Sequence, residues 1–477
     1  MKIDLANLTI TKAHKHLVDG DFSATELAEA YLSAIEKKNP ELNAFLGVYD
    51  DVLEQAKRVE NQNVKDKGSL WGIPIALKDN ILVKGKEATA ASKILKGYHA
   101  TYDATVTKKL KEAGALLLGR TNLDEFAMGA STENSAFGPT KNPHDTTRVA
   151  GGSSGGSTAA VAAGLACAAL GSDTAGSIRQ PSAFCGTVGL KPTYGSVSRS
   201  GLIALGSSLD VIGPITKTVS DAETIFNVIK GKDPMDSTTV DESDYPTTND
   251  KLPTTNYAVG VPRAFLDSTK LDVRVRKNFD ESVERLKSLG HIIKDIELPN
   301  LRYAVPAYYI LLPAEASANL ARFDGVKYGH YADGDDLLGD YLRSRGEGFG
   351  PEPRRRILIG TYVLSAGYYD AYYGKAQAVR RLIADDFARA FQSVDVIAMP
   401  TAAGPAFKIG EKAKDPVQMY LEDIFTVPAN HAGLPALTVP SGVVEEAGTD
   451  LPVGLQLYAP HMGESRLFSL GKQFLGE

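Results

Sequence analysis

Along the chain, short unbroken apolar runs bounded by glycine, proline or polar clusters alternate with stretches whose apolar residues recur at helical spacing. Ser23-Ala24-Thr25-Glu26 forms a capping box, and Leu27, Tyr31, Ala34 and Ile35 share one face, which predicts a helix over 24–37 stopped by Pro40. Buried strands are expected at 115–119 and 165–170, an apolar strand at 70–77, and further strands at 257–261, 291–298, 394–399 and 453–458, with strand and turn at 201–214 and loop and strand at 430–442. Helices are expected at 157–164, 220–229 and 354–373, and one more is marked by Val275, Phe279, Val283 and Leu286 and closed at Gly290. The acidic, glycine-rich segment 332–353 reads as a loop with at most a short helix, and 236–256 as a solvated surface loop, because strand and helix patterns resume on both sides of it. No repeat of fixed period appears.

Between 148 and 194, glycine and serine loops alternate with runs of small apolar residues, which a flexible linker would not carry. The first loop, 151–157, presents the hydroxyls of Ser153 and Ser154 on backbone that needs unusual dihedrals. After the expected helix 157–164 and strand 165–170, Gly171-Ser172-Asp173-Thr174-Ala175-Gly176-Ser177-Ile178-Arg179 turns into a new helix. Such a turn aims several N–H groups at one point and makes an anion or oxyanion nest, with Ser177 at its mouth. Upstream, Gly72-Ile73-Pro74-Ile75-Ala76-Leu77-Lys78-Asp79-Asn80 is an apolar strand that delivers a lysine where the run ends. Lysine beside aspartate is ordinarily a surface ion pair; the functional alternative is a buried amine with a depressed pKa, able to act as a general base. The polar loop 122–138 could line a pocket.

Composition narrows the field. The 477 residues are 43% hydrophobic and 23% charged, ordinary for a globular chain long enough to bury a large core. With 58 acidic against 52 basic side chains the net charge is −6, which does not advertise nucleic-acid binding. Only two cysteines occur, Cys167 and Cys185, both in surroundings that suit reduced core thiols, and neither a signal peptide nor a long apolar span is visible. A cytoplasmic protein without contact to a membrane is expected.

Several chemistries compete for the motifs. Gly152-Ser153-Ser154-Gly155-Gly156 meets the G-x-S-x-G pattern of a hydrolase nucleophile elbow, but Arg148-Val149-Ala150 is a poor strand to precede one, and His431 and His461 fit a triad by position only. Neither glycine loop ends as a phosphate loop does, and the eight histidines are scattered, so no metal site is expected. Ser469-Leu470-Gly471-Lys472 matches S-x-x-K inside an amphipathic tail helix, where chance explains it. A non-catalytic interaction protein would leave two glycine-rich loops and a strand-end lysine without a reason to coexist.

The remaining chemistry is a serine nucleophile activated by lysine, and here the motifs resemble a known family. GGSSGGS at 151–157, GSDTAGSIR at 171–179 and GIPIALKDN at 72–80, with 75 residues from Lys78 to Ser153 and 24 from Ser153 to Ser177, are similar to the amidase signature family. Ser317 to Gly325, Arg355-Arg356-Ile357, Ala366 to Tyr373 and Met419 to Asp423 resemble the branch of that family formed by the A subunits of tRNA-dependent amidotransferases.

The resemblance implies an α/β fold, a single amidase-signature domain with a large mixed central β-sheet flanked by helices on both faces. It would comprise an N-terminal helical arm (1–60), a catalytic core segment (61–220) and a substrate-pocket and sheet-completing segment (221–477). It further implies a glutaminase that releases ammonia for amidating mischarged Glu-tRNA(Gln), and it leaves Asp-tRNA(Asn) open as a second acceptor; a stand-alone amidase acting on a small amide is the alternative. On this resemblance Ser177 attacks glutamine, Ser153 (in a cis peptide in the family) relays the proton to a neutral Lys78, and the N–H groups of Thr174, Ala175, Gly176 and Ser177 hold the oxyanion. Arg356 would bind the substrate carboxylate and Asp423 its ammonium, with Tyr308 lining the pocket. One departure is Ala175, where the family usually has glycine; a Cβ there restricts φ. Subunits B and C would complete a heterotrimer, with ATP, magnesium and the mischarged tRNA held by the partner and no cofactor in this chain.

Overall fold

A computed structural model describes residues 3–61, 68–244, 256–413 and 415–477. Its strands are β1 (Phe45–Val48), β2 (Pro74–Lys78), β3 (Leu116–Thr121), β4 (Lys141–Asn142), β5 (Asp145–Val149), β6 (Ala168–Asp173), β7 (Val188–Lys191), β8 (Val211–Thr216), β9 (Ala258–Val261), β10 (Ile292–Asp295), β11 (Val396–Pro400), β12 (Ala436–Glu446) and β13 (Thr449–Tyr458). Eleven of them join in one mixed sheet, in the order β1-β3-β2-β6-β8-β7-β12-β13-β11-β9-β10, and β4 pairs with β5 in a separate ribbon. The architecture is α/β, with helices packed against that sheet.

The apolar runs explain the centre. Every residue of β2, β6, β7, β8 and β11 is buried, which is why these strands read as continuous hydrophobic stretches instead of alternating ones. β2 lies parallel to both β3 and β6, while on the other side of β6 the pairing with β8 is antiparallel. From β2 the chain passes to β3 on one side and then to β6 on the other, and in open α/β sheets sites form at the carboxyl ends of strands where the order reverses in this way. Lys78 ends β2 and Asp173 ends the adjacent β6, so the lysine and the loop carrying Ser177 leave the sheet side by side.

Several boundaries differ from the sequence expectation. The first long helix runs Ala24–Leu42, straight through Pro40. There the proline forfeits a single hydrogen bond in the last turn, which Asn43 then closes in the left-handed conformation. The central helix is Gly155–Ala162 and its strand Ala168–Asp173, so the strand begins and ends three residues later than expected. Hydrophobicity stops at Leu170, whereas the ladder with β8 continues through Ser172 and Asp173. Segment 332–353 holds a full helix, Leu337–Gly348, started by the Asp336 side chain accepting from Gly339 N at 2.7 Å. The expected helix over 354–373 is instead Pro351–Val363, followed by a break with Gly367 at φ 85°, a π-type turn at Asp370–Gly374 and a further helix, Lys375–Ala390. Of the expected loop 236–256, residues 245–255 lie outside the described residues.

Helix Pro351–Val363 crosses helix Ala304–Leu320 closely: a Cβ on Gly360 would stand 1.8 Å from the Pro313 carbonyl oxygen. No side chain fits there.

One buried ion pair ties the sheet to the loop after β6. Arg179, fully buried, donates from Nε to Asp173 Oδ2 (3.0 Å) and from Nη2 to Asp173 Oδ1 (2.9 Å). Its remaining donors reach Thr426 O (2.8 Å), Gln456 Oε1 of β13 (2.5 Å) and Asn430 Oδ1 (2.6 Å). Asp173 also accepts from Ile178 N (3.1 Å) and Asn430 Nδ2 (3.0 Å). Burial alone would raise its carboxyl, but the Arg179 guanidinium outweighs that and holds it at about 2. Removing one partner of such a pair strands the other charge in the interior, which costs roughly 3–5 kcal/mol. Asp173→Asn is therefore expected to lower the unfolding free energy by about that amount in denaturant titrations. A loss below about 1 kcal/mol would show that the pair is not what holds this region.

Candidate active site

Lys78 is completely buried at the end of β2, and its Nζ lies 2.7 Å from Ser153 Oγ, 2.9 Å from Ser154 Oγ, 3.0 Å from Ser172 Oγ and 3.3 Å from Ser172 O. Burial brings the amine down to about 7, against the pull of the Asp124, Asp173 and Asp210 carboxylates. Asp79, next in sequence, is turned away by strand alternation. It accepts from Thr89 N (3.1 Å), Ala91 N (3.2 Å) and Arg120 Nη1 (3.2 Å). The ion pair expected of an exposed lysine–aspartate neighbour therefore does not form, and Lys78 is an amine in a nest of neutral hydroxyls.

The Gly152–Ser153 peptide is cis. Glycine at 152 is demanded by close approach: a Cβ there would stand 2.2 Å from Asp124 Oδ2 and 2.5 Å from Ser131 N. Ser177, only 6% exposed, has its carbonyl held by Ser154 N at 3.1 Å. Among the described residues its hydroxyl makes no hydrogen bond, and it is not one of the lysine's partners, so three serines other than Ser177 cradle the amine. The amides of Thr174, Ala175, Gly176 and Ser177 likewise have no intrachain acceptor among the described residues; hydrogen bonding resumes with Ile178 N on Asp173 Oδ2 (3.1 Å) and Gln180 N on the Gly176 carbonyl (2.8 Å). Four donors stay free beside one hydroxyl. Thr174 Oγ1 is anchored on Asp210 Oδ1 at 2.6 Å. Ala175 keeps an ordinary negative φ, and the strained position is Gly176, at φ 145°, where a Cβ would meet Thr426 Oγ1 at 2.2 Å.

The elbow alternative does not fit. Arg148 and Val149 do lie in a strand, β5, but in the two-stranded ribbon apart from the main sheet. Ser154 Oγ is engaged by Lys78 and Ser172 O (3.1 Å), and His431 Nε2 is bound to Ala304 O (2.8 Å). In the tail helix Glu464–Leu475, Lys472 pairs with Glu223.

Arg356, Asp423 and their tyrosine form a second cluster. Arg356, 2% exposed, donates from Nε to Glu352 Oε1 at 2.6 Å, while its Nη1 is buried without a partner. Asp423 Oδ2 accepts from Tyr309 OH at 2.8 Å, and burial raises this carboxyl to about 7 against that hydrogen bond and the Arg356 charge. The tyrosine joining the two charged residues is thus Tyr309; Tyr308 packs edge-on to it, with ring centroids 4.9 Å apart. Neighbouring positions on a helix point to different sides, so sequence alone could not choose between them. A cleft of about 390 Å³ is lined by Gly129 to Ser131 on the loop before β4 and by Tyr309, Glu352, Arg356 and Tyr420. Ser177 is not in its lining. The turn Asp423 to Thr426, closed by Thr426 N on Asp423 O (3.1 Å), leads from this cluster to the Gly176 contact, one residue before Ser177.

Sequence reasoning missed Ser172 and Asn80, whose Nδ2 donates to Ser172 Oγ (2.9 Å), and the Glu352 and Tyr420 partners of Arg356. The polar end of β6 was the one available signal for the first pair.

This arrangement sets a buried amine, lowered to about 7 and bonded to Ser153, near the loop that carries Ser177 and its unpaired amides, a combination that suits acyl transfer, and it places a guanidinium and a carboxyl against one tyrosine, Tyr309. The amidase family model matches residues 26–468. The A subunit of the glutamyl-tRNA(Gln) amidotransferase of Carboxydothermus hydrogenoformans is 51% identical over 464 residues, covering 95% of this chain and 94% of that protein. The crystal structure of the corresponding protein from Thermotoga maritima superposes with a TM-score of 0.80 at 44% identity, over 99% of this chain and 95% of that one. The peptide amidase of Stenotrophomonas maltophilia has a TM-score of 0.82 at 28% identity, over 99% and 97% of the two chains. The chain belongs to the amidase family, on the branch that holds these amidotransferase proteins.

Proposed function

We propose that the chain is the glutamine-hydrolysing subunit of a tRNA-dependent amidotransferase and supplies ammonia for converting Glu-tRNA(Gln) to Gln-tRNA(Gln). The observation that carries the chemistry is the buried Lys78 amine at 2.7 Å from the hydroxyl of Ser153. Ser177 Oγ attacks the side-chain amide carbon of glutamine while its proton passes through Ser153 to Lys78. The free amides of residues 174–177 hold the oxyanion. Collapse returns the proton through Ser153 to the departing nitrogen, ammonia leaves, and water hydrolyses the glutamyl ester to glutamate. Arg356 takes the substrate carboxylate and Asp423 its ammonium, whose arrival favours the ionised carboxylate.

The fold is shared with amidases that act alone, so the branch rests on the half-identical relatives and on the Arg356 and Asp423 cluster, which a neutral amide does not need. Subunits B and C complete a cytoplasmic heterotrimer, with ATP, magnesium and tRNA on the partner; the net charge of −6 supports a protein that does not itself grip nucleic acid. Asp-tRNA(Asn) is a second acceptor to assay beside Glu-tRNA(Gln). The deciding experiment is an amidation assay with both mischarged tRNAs on the assembly recovered from the native host. Ammonia transfer to neither would leave the stand-alone amidase.

Ser177→Ala should abolish both glutamine hydrolysis and any covalent glutamyl adduct in mass spectra of quenched enzyme. An adduct on Ser154 would move the nucleophile to the other loop. Arg356→Ala and Asp423→Ala should each weaken glutamine use far more than hydrolysis of butanamide, by about 2–5 kcal/mol, or roughly one and a half to three and a half powers of ten in kcat/KM. Equal losses on both substrates would favour a stand-alone amidase.

Lys78 dictates the pH dependence. Below about 7 its amine is protonated and cannot accept a proton, so kcat should rise with pH through one ionisation near 7 and then level off. Asp423 titrates in the same range, also gaining function as pH rises, but it acts on binding and enters only kcat/KM. Lys78→Arg keeps the charge but cannot give up a proton, and should be nearly inactive. Substantial activity in that variant would show that the residue serves as a fixed positive charge.

A further inference from the structure

Resting on the reading of Arg356 as the carboxylate clamp, we propose that Glu352 is a positioning residue that keeps the Arg356 guanidinium away from Asp423 and its Nη1 unpaired within the chain, for the substrate to satisfy.

Arg356 is a buried cation in a cluster with two acids, Glu352 in direct contact and Asp423 through Tyr309. Glu352, one helical turn earlier, takes its Nε at 2.6 Å, and the same Glu352 oxygen accepts from Tyr420 OH at 3.0 Å. The second Glu352 oxygen holds Arg355. Tyr309 and Tyr420 are stacked with centroids 3.9 Å apart, and the guanidinium carbon lies 4.6 and 4.7 Å from those centroids, against the rim of the stack. The rings dry the cation without offering it a counter-charge. Tyr309 also touches Asp423, its OH donating to Oδ2 at 2.8 Å while its ring centroid lies 4.6 Å from the guanidinium carbon, so one side chain bridges the cation and this second carboxyl. A buried guanidinium deprived of Glu352 would be drawn to Asp423, since opposite charges in a dry pocket attract strongly. The carboxylate site and the ammonium site would then neutralise each other, and a substrate would have to part them before binding. Glu352 prevents this by engaging Nε, so that the partnerless Nη1 remains for the ligand.

Such a role acts on binding and not on the bond-breaking step. In the assembled enzyme, Glu352→Ala should raise the KM for glutamine about tenfold or more while kcat stays within about threefold. Glu352→Gln retains a carbonyl oxygen for Nε and should recover most of that loss. Tyr420→Phe removes one of the bonds steadying Glu352, and a two- to fivefold rise in KM is expected, on the order of one weak hydrogen bond; it tests the idea even if the alanine variant folds poorly. A fall in KM in Glu352→Ala would mean that the glutamate competes with substrate, and a fall in kcat at constant KM would mean a different role; either overturns the proposal. Arg356→Ala separates the two levels. If it leaves glutamine KM unchanged, the clamp itself is wrong; if it raises KM while Glu352→Ala does not, only the positioning role falls.

Discussion

The bidentate contact between Asp173 and Arg179 is what the site is hung on. It joins the last residue of β6 to the helix after the Ser177 loop, so both ends of a loop with free backbone donors are pinned by one ion pair. The same guanidinium reaches β13 through Gln456 and helix Val427–Ala432 through Asn430. Elements far apart in the sheet order thereby converge on the loop, which Asp210 and Ser154 steady further through Thr174 Oγ1 and the Ser177 carbonyl.

That contact also bears on Lys78. An ionised Asp173 pulls the lysine toward its charged form, yet the amine remains near 7 because dehydration dominates. Arg179 absorbs much of the Asp173 charge at short range, and the lysine's own hydrogen bonds go only to serines. A charged pair and an amine lowered to about 7 coexist at the ends of two adjacent strands because each has partners of its own kind. The clamp repeats the principle with opposite emphasis: Arg356 stays charged beside Glu352, while Asp423 is left half-way by burial and a tyrosine.

Much of this was legible in the chain. Lys78, Ser153 and Ser177 stand in motifs whose spacing is distinctive, and strands β2, β3, β9, β11 and β13 announce themselves as apolar runs. The rest depends on contacts that a linear pattern does not carry. Ser172 joins the lysine only because β2 and β6 pair, which brings positions 94 residues apart together. Tyr309 and not Tyr308 reaches Asp423 because of helix phase, and helix Leu337–Gly348 hides its signal by leaving Leu337, Leu338 and Leu342 exposed. Pro40 misleads because its cost depends on how near the helix end lies.

The crossing at Gly360 bears on how this cleft could be redesigned. Helix Ala304–Leu320 carries Tyr309 and helix Pro351–Val363 carries Glu352 and Arg356, and at Gly360 the two backbones touch with no side chain between them. A wedge inserted there would push both helices at once and shift every contact of the clamp together. New selectivity toward smaller or uncharged amides is therefore reached by editing the side chains that face the cleft, with the helix pair kept as a fixed frame.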